Sequence, residues 1–155
     1  MTPLMLQDDL VDEIKKLFSE MKFKAPGNRQ VPINVFPQDL PVAESDDDAD
    51  PIPYIIVRIS KGIDDGKSDS NHTVKTYIIA GLYDDNPNSQ GYRGLLNIFS
   101  KIYERFKKNP CLADRYVHTG LFEWEIQEDG YYPYFFGVVE MDFNIPAIRR
   151  EDQFA

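Results

Sequence analysis

The chain has 155 residues, 42% of them hydrophobic and 28% charged, and a net charge of -9. That length favours one domain, residues 1–155, with enough chain to bury a core without disulfide staples. The acidic balance repels phosphate backbones and anionic lipid surfaces, so general nucleic-acid binding and membrane anchoring are disfavoured.

Residues 3–23 read as a helix, because Leu6, Leu10, Ile14, Leu17 and Met21 recur at spacings of three and four. Phe18 widens that stripe, Thr2 and Pro3 form an N-cap and first-turn pair, and APGN (25–28) closes the helix. The proline-rich VPINVFPQDLP (31–41) predicts a short edge strand around Ile33–Phe36, since proline is poorly tolerated in central strands. ESDDDADP (44–51) is self-repelling and is expected to be a mobile acidic loop.

YIIVRIS (54–60) and KTYIIAGLY (75–83) read as strands, and the turn-rich segment between them predicts an antiparallel hairpin. A second helix is expected from about Ser89 to Lys108, with Tyr92, Leu95, Phe99, Ile102 and Phe106 on its apolar stripe and Pro110 just beyond. A second hairpin follows. In its first strand Phe122, Trp124 and Ile126 alternate with Glu123 and Glu125. In its last strand Phe135, Gly137, Val139, Met141, Phe143 and Ile145 share one face. Residues 147–155 read as a C-terminal arm. The order predicts an α+β fold, an antiparallel sheet of four to five strands with two helices packed on one face.

Such a sheet should be polar on its uncovered side, and this one is not consistently so. Ile56, Tyr77, Ile79, Tyr134, Phe136 and Val138 all fall on the side opposite the helices. These six are the candidate oligomer or partner interface. The alternatives are that the loop at 37–53 folds over them, or that they are scattered surface residues. Glu123, Glu125, Glu140 and Asp142 share the same side. They read as a solvated acidic face, the alternative being a carboxylate pair for acid–base work.

Other chemistry is thinly signalled. GIDDGKS (62–68) resembles a phosphate loop but has three residues between its glycines where about four are needed, and a strand follows it. It reads as a hairpin turn. DDDAD (46–50) lacks the spacing of a calcium loop. Cys111 and His118 could be imagined as a nucleophile–base dyad, but Cys111 follows a helix exit and is expected to pack as a small apolar residue. No cofactor or metal ligand set is expected, and no catalytic residue is assigned. The single cysteine forbids an intrachain disulfide, and the N-terminal stretch lacks the basic and apolar regions of a signal peptide. An intracellular, soluble product is the expectation. Lys101, Arg105, Lys107 and Lys108 are the best candidates for a local basic patch.

One resemblance sharpens this. GLYDDNPNSQGYRGLLNIFSKIYERF (81–106) followed by FEWEIQEDGYYPYFFGVVEMDFNIPAIRRED (122–152) resembles the tail-terminator, or tail-completion, proteins of long-tailed phages and prophages. The resemblance covers the C-terminal half well and the first helix by layout only. It implies a non-enzymatic protein that forms a ring, often a hexamer, on the head-proximal end of the tail tube. Its implied partners are other copies of itself, the tail tube protein and the head–tail connector, with DNA passing through the ring. The implied location is the host cytoplasm during assembly and then the virion tail. The alternatives are another neck component, such as a head-completion or connector-adaptor protein, and a small ligand-binding or enzymatic α+β domain.

Overall fold

The computed structural model describes residues 2–43, 51–88, 90–128 and 130–148. The acidic run expected to be a mobile loop, apart from Pro51, and the arm beyond Ile148 lie outside the described residues.

Helix α1 spans Pro3–Leu17, and the Thr2 hydroxyl accepts a hydrogen bond from the Met5 amide at 3.2 Å, as expected of an N-cap. The helix ends six residues before the sequence pattern does. Met21 keeps the helical spacing, but Phe23–Ala25 (β1) and Arg29–Val31 (β2) pair as a small antiparallel hairpin. APGN is therefore the end of β1 and the turn of that hairpin, residues 26–28, rather than a helix stop. Gly27 and Asn28 both have positive φ there, 85° and 60°, which glycine and asparagine tolerate best.

Strands β3 (Asn34–Pro37), β4 (Tyr54–Ile63), β5 (His72–Tyr83), β6 (Cys111–Leu112), β7 (Tyr116–Ile126) and β8 (Tyr134–Ile145) form one sheet in the order β3-β4-β5-β8-β7-β6. Two expectations are corrected. The sheet has six strands rather than four to five, and it is mixed, because β3 pairs parallel with β4. A parallel pair needs a long return connection, and the chain from Gln38 to Pro53 supplies it. The other five strands pair antiparallel, including both expected hairpins. Irregularities at Ile59/Lys61 and His118/Phe122 break the ladders, and the sheet curls into a half-barrel. Bulges of this kind increase local twist.

Both helices lie on one face. α1 buries Leu6, Leu10 and Ile14 against β3 and β4. Helix α2 (Tyr92–Lys108) buries Leu95, Ile98, Phe99, Ile102 and Phe106 against β5, β7 and β8. α2 starts three residues later than its sequence suggests, at Tyr92, and at its N-cap Gly91 a Cβ would come within 2.2 Å of the Phe135 ring. Arg105 ties the layers together. It pairs with Glu13 of α1 and donates to the carbonyls of Asn109 and Cys111.

Candidate functional site

The reverse face of the sheet is built by register. Ile56, Ile79, Val138 and Glu125 stand in one cross-strand row, and Arg58, Tyr77, Glu140 and Glu123 in the next. β-branched and aromatic side chains in such rows pack well on a pleated surface. Here they also line a cleft of about 470 Å³, formed by Tyr77, Ile79, Phe136 and Val138 with Arg58 and Glu125 from the flanking strands.

The structure thus brings four of the six candidate residues together. Tyr134 is on the same face but stands away from the cleft, its ring 5.7 Å from that of Tyr83. Ile56 adjoins Ile79 in register yet is 5% exposed, so it offers almost no surface to a partner. Sequence reasoning did not single out Arg58 or Gln127 as cleft residues. Arg58 is fixed by Gln38 and Asp39, whose carbonyl and carboxylate it reaches at 3.0 Å each. Only the parallel pairing of β3 brings those groups within reach, so alternation along β4 carries no sign of it. On the same face the Tyr54 ring lies over Gly81, 2.5 Å from where a Cβ would stand, which explains a glycine near the end of β5.

The four carboxylates do share this face. Glu123 stands opposite Glu140, which forms an ion pair with Lys75 at 2.7 Å. Asp142 stands opposite Lys75, and burial raises its carboxyl above the usual range, with Glu140 adding to the effect and Lys75 opposing it. One of its oxygens is enclosed without a hydrogen-bond partner. Glu123, Glu125 and Asp142 therefore hang on the acidic side of the cleft or beside it, and only Glu125 lines it.

Cys111 and His118 do not form a site. Cys111 is exposed, against the expectation that it packs inside. His118 is buried, its ring 5.8 Å from Phe106 and 5.5 Å from Phe143. Its Nε2 lies 2.8 Å from the Leu121 carbonyl, an acceptor only, so that nitrogen carries the proton of the neutral ring. Burial lowers its pKa from the ordinary 6.5. The unfolded chain then holds more protons than the folded one over the window from the folded value up to about 6.5, and stability rises with pH through it. Melting temperature should therefore fall as pH drops below about 6.5, and less steeply in His118→Gln. Equal slopes in the two proteins would show that His118 is not the group responsible.

The GIDDGKS segment is the connection of the β4–β5 hairpin. Asp64 and Asp65 accept from the amides of Gly66 and Lys67 at 3.0 and 2.9 Å, so their carboxylates serve the turn. The four basic residues expected to form a patch on α2 are likewise engaged internally. Besides Arg105, Lys107 donates to the Gly120 carbonyl, Lys108 pairs with Glu104, and Lys101 lies over the Phe18 ring. Among the described residues no three metal-ligating side chains converge, and no helix is long and apolar enough to cross a membrane. Compared with known protein families and with curated proteins, the chain matches none.

Proposed function

We propose that this chain is a non-enzymatic tail-assembly protein that oligomerises as a ring on the head-proximal end of a phage tail tube, ends tube growth and joins the tail to the head connector. The observation that carries the reading is the reverse-face cleft of Tyr77, Ile79, Phe136 and Val138 on an otherwise acidic chain. An apolar concavity framed by charge suits a subunit contact, and a head-to-tail contact closes into a ring when its rotation closes. The net charge of -9 suits a passage through which DNA slides without adhering. The sequence resemblance in residues 81–106 and 122–152 supplies the tail context.

Electron microscopy of the purified chain mixed with cognate tail tubes tests this. Ring-shaped density at one tube end, with tubes that no longer elongate, is the expected result. Bare tube ends and unchanged elongation would overturn it. Density on the head connector alone would point to the head-completion alternative.

A further inference from the structure

The two edges of the sheet are finished differently. β3 is short and flanked by prolines, Pro32 before it and Pro37 at its end, which removes backbone donors from that edge. On the other side β6 covers only Tyr116 and Val117, so among the described residues no strand pairs with β7 beyond Val117 on its outer side. The Gln127 amide donates to the Phe136 carbonyl at 2.9 Å, and the register with β8 runs unbroken from Ile126 back to Phe122. Antiparallel alternation then turns the backbone of Glu123 and Glu125 toward β8. The N–H and C=O groups of Phe122, Trp124 and Ile126 face outward. The Gly120 and Leu121 carbonyls are taken by Lys107 and His118, so the open stretch begins at Phe122.

Beside this edge runs a groove of about 270 Å³, lined by Leu96, Phe99, Ser100 and Tyr103 of α2 and by Phe122 and Trp124 of β7. Trp124 is 54% exposed and Tyr103 48%. A strand laid along the edge would send alternate side chains into this groove and the others to the reverse side, next to the exposed Glu123 and Glu125. A second copy of β7 laid antiparallel would bring its own glutamates against these two, and like charges across a strand pair are destabilising. The acidic pair therefore turns away the chain's own edge and favours a basic one.

We propose that the β7 edge and the groove beside α2 form a strand-addition site for an extended segment of a partner protein that alternates apolar and basic residues. The open backbone supplies affinity, the groove takes the apolar set, and Glu123 and Glu125 take the basic set. The site is separate from the reverse-face contact proposed above except at Glu125, and it stands or falls independently of the tail role.

The test uses the full chain and a capped heptapeptide alternating lysine and valine. Trp124 is the sole tryptophan, so its fluorescence reports the groove directly. Saturable change in that signal is expected, with new hydrogen-exchange protection at the Phe122, Trp124 and Ile126 amides. The double variant Glu123→Gln, Glu125→Gln should weaken binding by about 2- to 30-fold, the loss of two cross-strand charge pairs. A glutamate–valine peptide, or a lysine–valine peptide N-methylated along its pairing edge, should not bind. The proposal is overturned by no saturable signal, by binding indifferent to N-methylation or to the two glutamates, or by equal binding of the acidic peptide. It is also overturned if the same amides become protected by self-association as protein concentration rises without peptide.

Discussion

Replacing Phe143 with alanine is expected to remove about 3–5 kcal/mol of stability, the range for truncating a fully buried phenylalanine. Phe143 has no exposed surface, and it stands in register between Val74 and His118. Its ring meets Phe106 of α2 edge-on at 5.4 Å. The substitution would empty the place where α2, β5, β7 and β8 converge, and the irregular stretch of β7 after His118 limits how far the surroundings can collapse onto it. Set against a total of about 5–15 kcal/mol for a domain, this is a large fraction. Urea unfolding should show a lower midpoint at an unchanged slope. A loss under about 1 kcal/mol would mean that the cluster repacks freely and that His118 is not held by its neighbours.

The second large effect is on assembly. On the proposed assembly role, the double substitution Ile79→Lys, Val138→Glu should abolish ring formation on tail tubes, a loss of about 2–4 kcal/mol at each subunit contact, as for central interface residues. The two positions are directly opposed on β5 and β8, and both are only partly buried. Opposite charges placed there can pair across the strands, so the monomer should keep its fold, checked by circular dichroism and melting temperature. Ile56 is left out of this variant because it is nearly fully buried, and a charge there would unfold the sheet rather than probe its surface. Rings that persist in the folded double variant would place the subunit contact elsewhere.

Strongly periodic segments were the legible part of the fold. α2 and β8 repeat their patterns long enough that most of the buried faces follow from sequence: Leu95, Phe99, Ile102, Phe106, Val139, Met141 and Phe143 lie inside, while Tyr92 of the expected stripe is exposed and Ile98, outside it, is buried. The end of α1 was hidden because Met21 continues the helical spacing while packing on the core from the irregular stretch that follows the helix. The direction of β3 was not readable, since a four-residue strand carries no signal that separates parallel from antiparallel pairing. β6, with two residues, has no periodicity at all. For the candidate site, alternation told which side chains share the reverse face, but not which of them meet. That depends on cross-strand register, which gathers Tyr77, Ile79, Phe136 and Val138 and leaves Tyr134 against Tyr83. Trp124 shows the same limit from the core side. Its face was predictable, but its exposure was not, because α2 stands back from it across a groove, the Phe99 ring 6.2 Å away, and leaves it 54% exposed.

The unequal edges of the six-stranded sheet have a consequence for how many neighbours that sheet can hold by strand pairing. Among the described residues, proline and brevity guard β3 and the open stretch lies on β7, so the six-stranded sheet offers one edge for such bonds. A subunit with two open edges passes the ladder onward and seeds a fibre. A subunit with one open edge receives a single strand and ends the series there, so that growth by this route stops after a single addition.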